Sequence, residues 1–273
     1  MFLIILTLLI ISTILYKNNH VFKYNVKYLF YILASSILGT LSIPYLMLRP
    51  RNPINFRGVC KMFRLMSPVL GLSYELRGIN NLEKDYACVI ASNHQSSLDF
   101  LCMYEIWYAM RRHPIFRVTA VARMLLLFAG PYGIGAWLSG LIFINKDSPD
   151  RGIKKMNESM EYLKKNKIHL WMYVEGYRNH SGKIDEFKKG AFRLAIQSQV
   201  PIIPLVISSY NYFLDPKKMI FNSGKIIIEV LPEIPTKGLK LSDLDTLMEK
   251  TRNVMVKKFD ELNNELRLNN NLK

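Results

Sequence analysis

Two long apolar runs open the chain, separated by a short polar and basic stretch. Residues 1–16 are almost entirely Leu, Ile, Phe and Thr; residues 17–27 are polar and basic; residues 28–48 are apolar again, ending at Arg49-Pro50-Arg51-Asn52-Pro53. The second run reaches the roughly 20 residues that a helix needs to cross a bilayer core, and the first is marginal. Neither a basic leader nor a small-residue exit site marks a cleaved signal peptide. The pattern predicts a two-helix membrane hairpin over residues 1–50, spanning or set into one leaflet, followed by a globular domain over 51–273. A hydrophobic helix pair buried against that domain would give the same pattern.

Past the linker the period changes. Residues 86–92, 116–122, 168–174, 202–207 and 225–231 are apolar, β-rich runs that read as strands. Ile153, Met156, Met160 and Leu163 recur at helical spacing, as do Leu244, Leu247, Met248, Met255, Phe259 and Leu262; residues 192–199 also read as helix. Ser242 is the expected N-cap of the last helix. Such alternation predicts an α/β fold, a sheet covered by helices. Residues 125–144 are nearly all apolar, but Gly130-Pro131, Gly133, Gly135 and Gly140 interrupt them. Irregular backbone is costly in bare hydrocarbon, so a buried or interfacial segment is expected rather than a third span.

Charge narrows the partners. The 273 residues carry 37 Lys+Arg against 21 Asp+Glu, a net +16. That excess suits lipid headgroups, phosphorylated substrates or nucleic acid. The basic residues are scattered and no nucleic-acid module is visible, so membrane lipids are the expected partner and nucleic acid is not. Lys17, Lys23 and Lys27 lie between the apolar runs, whereas Arg49, Arg51, Arg57, Lys61 and Arg64 follow the second. This bias favours a cytosolic domain. Cys60, Cys88 and Cys102 show no metal-binding or redox spacing and read as structural thiols of a reducing compartment.

The chemistry concentrates in Asn93-His94-Gln95-Ser96-Ser97-Leu98-Asp99, just after the apolar run Ala87-Cys88-Val89-Ile90-Ala91. On one continuous helix His94 and Asp99 would point roughly 140° apart. With His94 in a loop, Ser96 or Ser97 capping, and Asp99 in the first helical turn, the two can meet. A carboxylate on one imidazole nitrogen fixes the tautomer and leaves the other nitrogen as a base. Taken alone, the pair fits a polar turn with an incidental capping histidine equally well. No histidine has carboxylate or thiol partners at metal-ligand spacing, so no metal is expected.

Three further blocks follow in order: Gly140-Leu141-Ile142-Phe143-Ile144-Asn145-Lys146, an apolar strand ending in a cation; Glu175-Gly176-Tyr177-Arg178; and Val200-Pro201-Ile202-Ile203-Pro204. With the histidine block they resemble the glycerolipid acyltransferases of the 1-acyl-sn-glycerol-3-phosphate (lysophosphatidic acid) acyltransferase family. The match runs from about Tyr74 to Ile207. Here Tyr173-Val174 stand where the family's third motif has Phe-Pro, Tyr177 replaces Thr, Lys146 replaces Arg, and Arg123-Met124-Leu125-Leu126 keeps the cation of a K-x-E-L-like stretch without its carboxylate.

The resemblance implies a glycerolipid acyltransferase-like fold with a mixed sheet. It implies transfer of an acyl group from acyl-CoA, a co-substrate and not a cofactor, to the sn-2 hydroxyl of lysophosphatidic acid, without an acyl-enzyme. His94 would be the general base and Asp99 its orienting partner. Arg178, Lys146, Arg123, Glu175 and Gly176 would bind the acceptor. The hairpin resembles that of endoplasmic-reticulum members. A glycan at the sequon Asn179-His180-Ser181 would block such a site, which again favours a cytosolic domain. A related acceptor, glycerol-3-phosphate or another lysophospholipid, fits the same motifs.

Overall fold

The computed structural model describes residues 2–113, 117–145 and 158–271. Helix α1 (Phe2–Asn18) and helix α2 (His20–Met47) form the N-terminal apolar region, broken at Asn19. Asn19 is extended, and its side chain accepts from the Phe22 N–H at 3.0 Å, capping α2. At 28 residues α2 is about 42 Å long. One stripe of it, Lys27, Gly39, Ser42 and Leu46, is buried against the rest of the chain, while Leu29, Ile32, Leu33, Ile37 and Leu41 remain exposed. The Lys27 ammonium donates to the carbonyls of Leu70 (2.6 Å) and Asn222 (3.2 Å). The helix therefore combines both readings of the apolar run: a face docked on the domain and a face left bare.

A 3-10 turn (Pro53–Asn55), α3 (Phe56–Phe63) and the short α4 (Met66–Val69) lead into β1 (Leu72–Arg77). Then come β2 (Cys88–Ser92), α5 (Asp99–Met110), β3 (Val118–Arg123), a 3-10 turn (Met124–Phe128), α6 (Gly130–Leu138) and β4 (Ile142–Ile144). A helix α7 covers 158–165, before β5 (His169–Tyr173), α8 (Lys189–Ser198) and β6 (Ile202–Ile207). A small hairpin, β7 (Leu214–Asp215) and β8 (Ile220–Phe221), precedes β9 (Gly224–Val230) and the long α9 (Leu244–Asn271).

Seven strands form one mixed sheet in the order β1-β9-β6-β2-β5-β3-β4. The five strands from β6 to β4 are mutually parallel; β9 meets β6 antiparallel and β1 runs parallel to β9. The hairpin β7–β8, and no crossover helix, joins β6 to β9, so β9 returns in the opposite direction. Alternate residues of β2 serve the two faces. Cys88 and Ile90 pack with α3 and α5, Val89 and Ala91 with α8 and α9. Both faces are covered, as parallel strands require.

The expected strands all form, with ends shifted by one or two residues except for β6. Within the seven-stranded sheet, β1 is the strand that hydrophobic patterning missed, and the two-residue strands β7 and β8 were missed as well. β1 lies at the sheet edge and its Glu75 and Arg77 are polar, paired with Lys225 and Glu265. The 125–144 segment is divided into the 3-10 turn, α6 and the approach to β4, none long enough to span a bilayer. Ser242 does not cap α9: it lies within a 3-10 turn (Leu241–Asp243), where the Asp243 carboxylate accepts the Lys240 N–H at 2.7 Å. Ser96 and Ser97 do not cap α5 either. No side chain caps that helix from its N-cap residue, Leu98, and Asp99 itself reaches back to the preceding loop.

Candidate active site

β2, β5, β3 and β4 all end at the same edge of the sheet, with Ser92 opposite Tyr173 and Arg123 opposite Ile144. In open parallel sheets ligands bind beyond the carboxyl ends of the strands. Three of the four blocks singled out in the sequence run to or beyond the ends of these strands, whereas Val200–Pro204 opens β6 at the opposite edge. The His94 block leaves β2, Glu175–Arg178 leaves β5, and Arg123 closes β3; Lys146, two residues past β4, lies outside the described residues.

The loop after β2 is built around Asp99. Its Oδ2 accepts from His94 Nδ1 at 2.6 Å, from the Gln95 N–H at 2.6 Å and from the Ser96 N–H at 3.1 Å. The carboxylate is buried, so its charge is met by three donors aimed at one oxygen, and none of them is a cation of fixed charge. With Nδ1 held by Asp99, the other ring nitrogen of His94, Nε2, has no hydrogen-bond partner among the described residues. The imidazole is 15% exposed and stacks on the Tyr173 ring, with centroids 4.0 Å apart and planes at 16°. Burial pushes the Tyr173 phenol well above its usual range, which keeps it neutral, and its hydroxyl has no partner among the described residues.

Flanking side chains brace the loop. Asn93 pairs with Ile207 in both senses, its amide donating to the carbonyl and its oxygen accepting the N–H, each at 2.9 Å. Gln95 donates to the Ile207 and Ser208 carbonyls and accepts from the Tyr210 N–H. Tyr31, on α2, donates to the Ser97 carbonyl at 2.8 Å. Patterning gave no signal for Tyr31. Asn93 and Gln95 stood in the motif, but as polar loop residues without an assigned role.

Glu175 is turned inward. Its Oε1 accepts the His94 N–H at 2.8 Å, and its Oε2 accepts the Asp185 N–H at 3.0 Å and the Asn179 amide at 3.3 Å. Burial raises its pKa, partly opposed by these donors. No Glu175–Arg178 pair forms. The Asn179 N–H also donates to the His94 carbonyl at 2.8 Å, so the β2 and β5 loops are fastened to each other. Gly176 has φ +74, the left-handed region that a side chain would strain, and its carbonyl accepts from Arg123 Nη2 at 3.3 Å. Arg178 is exposed and has no carboxylate partner among the described residues; its charge is felt by the phenols of Tyr31 and Tyr132. Tyr177, where the family has Thr, is exposed. It turns away, its hydroxyl donating to Asp185 at 2.5 Å and its ring lying 5.9 Å from the Lys188 ammonium. Lys189 pairs with Asp245 on a solvated face. Among the described residues no cluster of His, Cys, Asp and Glu is arranged to hold a metal.

A histidine–carboxylate pair at the carboxyl edge of such a sheet, with Arg123 and Arg178 in the same strand-end region, can carry general-base group-transfer chemistry. A family model described as "Acyltransferase" matches residues 73–208. The 1-acyl-sn-glycerol-3-phosphate acyltransferase alpha of Bos taurus is 37% identical over 243 residues, 89% of this chain and 82% of that protein. The Saccharomyces cerevisiae enzyme of the same name is 33% identical over 202 residues, 73% of this chain and 64% of that one. The crystal structure of the 1-acyl-sn-glycerophosphate acyltransferase of Thermotoga maritima shares the fold, with a TM-score of 0.66, 17% identity, and coverage of 88% of this chain and 97% of that one. The chain belongs to the 1-acyl-sn-glycerol-3-phosphate acyltransferase family, and among the described residues one helix, α2, is long and apolar enough to cross a membrane.

Proposed function

We propose that the protein transfers an acyl group from acyl-CoA to the sn-2 hydroxyl of lysophosphatidic acid, giving phosphatidic acid. The observation that carries this reading is the 2.6 Å contact between His94 Nδ1 and Asp99 Oδ2, with the other ring nitrogen left without a protein partner. The names of the curated relatives support the acceptor.

An alcohol is a weak nucleophile until a base takes its proton, and a neutral imidazole is suited to this at cytosolic pH. His94 Nε2 removes the hydroxyl proton while the oxygen attacks the thioester carbonyl. The new C–O ester bond forms, the C–S bond breaks with the electron pair going to sulfur, and the imidazolium gives its proton to the departing thiolate. Asp99 holds Nδ1–H and stabilises the imidazolium, so no acyl-enzyme is needed. Arg178 suits a bidentate contact with the acceptor phosphate, with Arg123 and Lys146 adding charge. Gly176 lets the backbone turn there, and Glu175, buried under the loop, positions His94 from behind.

Residues 1–50 serve as the membrane anchor and 51–273 as the catalytic domain, on the cytosolic face of the endoplasmic reticulum. Purified protein given labelled acyl-CoA with lysophosphatidic acid, glycerol-3-phosphate and other lysophospholipids tests the acceptor. If lysophosphatidic acid is not preferred, the assignment fails. His94→Ala should abolish turnover while keeping membrane association, and undiminished activity would refute the base.

A further inference from the structure

We propose that the 3-10 turn Met124–Phe128, with the exposed face of α6, is a second membrane-insertion surface, on the catalytic domain itself and separate from the N-terminal hairpin. The turn reads Met-Leu-Leu-Leu-Phe and has no buried residue; Leu125 is 78% exposed and Phe128 77%. Burying such side chains in an apolar medium is favourable, and contiguous bare apolar surface marks an interaction site.

Continuity with the hairpin selects the occupant. The turn lies directly on α6, since a Cβ built at Gly133 would come within 2.4 Å of the Leu126 and Leu127 carbonyl oxygens. Helix α6 lies in turn against α2, where a Cβ at Gly39 would be 2.9 Å from the Tyr132 Cα. Ile134 and Trp137 of α6 are exposed. One apolar surface therefore runs from the bare face of α2 across α6 to Leu125 and Phe128. Its margin is basic and aromatic: Arg51 lies 5.2 Å over the Trp137 ring, and Arg123 immediately precedes the turn. Tryptophan and arginine at the border of an apolar surface suit the headgroup layer of an anionic bilayer. On the acceptor proposed above, insertion here sets Arg123 at phosphate depth, so that a lysolipid reaches the site sideways from the leaflet.

The three native cysteines are buried, so a nitroxide reagent reports an introduced one. Full-length Phe128→Cys and Leu125→Cys proteins are labelled, added to phosphatidylcholine–phosphatidylserine vesicles, and measured for collision with O2 and with a water-soluble nickel chelate. Leu33→Cys on α2 and Glu249→Cys on α9 provide the lipid and aqueous references. The expected result is a shift at both turn positions from the nickel chelate towards O2 when vesicles are added, matching Leu33→Cys. Nickel-accessible labels at the turn with Leu33→Cys in lipid overturn this proposal alone, as does entry of only one of the two. If Leu33→Cys is also aqueous, membrane association by the hairpin fails as well.

Discussion

The Tyr31 hydroxyl, on an apolar helix of the membrane region, donates a 2.8 Å hydrogen bond to the Ser97 carbonyl, midway along the loop that joins His94 to Asp99. The two residues are 66 positions apart and belong to what the sequence presents as separate regions. The helix proposed as membrane anchor is thus also bonded to the loop that carries the candidate base. Tyr31→Phe leaves the Ser97 carbonyl unpaired at a net cost of about 1 kcal/mol. Converted to rate, that is a fall of about fivefold in kcat with KM for acyl-CoA unchanged. An unchanged kcat would show that the contact has no bearing on the loop.

Asp99→Asn should lower kcat by about 10²–10⁴. An asparagine oxygen can still accept the Gln95 and Ser96 N–H groups, so the loop survives, but the neutral amide cannot stabilise an imidazolium. Circular dichroism and membrane flotation should match wild type. Near-normal turnover in this variant would remove Asp99 from the mechanism.

Glu175→Gln places an amide N–H2 where a carboxylate oxygen now receives N–H donors from His94 or from Asp185 and Asn179. Donor faces donor, at a cost of about 1–3 kcal/mol of stability. If Glu175 positions His94, turnover falls while KM for lysophosphatidic acid stays constant. A large rise in KM with kcat preserved would instead put Glu175 in contact with the acceptor.

Tyr173→Phe keeps the ring stacked on His94 and removes a buried hydroxyl that has no partner among the described residues. Stability in a thermal melt should hold or rise, since the transfer cost of that hydroxyl disappears. Activity should stay within a factor of about 2, as the imidazole contact is unchanged. A collapse of activity would assign the hydroxyl a direct part in the reaction.

His169 is buried at the start of β5, with Nε2 3.0 Å from the Lys84 carbonyl, and burial lowers its pKa. The unfolded chain therefore takes up a proton at higher pH than the folded one. Stability is full above the ordinary histidine value of about 6.5 and falls as pH drops below it towards the depressed folded value. Urea midpoints in detergent from pH 8 to pH 5 should show this decline, and His169→Gln should flatten it. An equal slope in both proteins would place the titrating group elsewhere.

What could be read from the sequence follows from where side chains report on themselves. The strand ending at Ser92 and the strand Ile202–Ile207 are uninterrupted apolar runs, buried on both faces, so their patterns are unambiguous. His94 and Asp99 were recognisable because reactive residue types recur at fixed spacing with the Glu175–Arg178 block. Edge strand Leu72–Arg77 was hidden because its charges are matched across the sheet and at Glu265, which no local pattern records. The inward turn of Glu175 and the outward turn of Tyr177 depend on Asp185 and Asn179, brought in by the fold. Tyr31 could not be found at all, because an aromatic in an apolar helix carries no mark of its distant partner.

Asn93 acts as a counterfeit piece of backbone. By exchanging two hydrogen bonds with Ile207 it adds one more rung to the sheet after the main chain of the strand has left it. The chain is then free to swing across towards Glu175 without leaving the neighbouring strand's N–H and C=O unmatched. Only a primary amide can play both halves of that rung at this reach: an aspartate would set acceptor against acceptor at the Ile207 carbonyl, and a leucine would offer nothing. The motif's opening residue is thus a joint in the masonry, and the reactive histidine stands where it does because the wall beneath it was finished by a side chain.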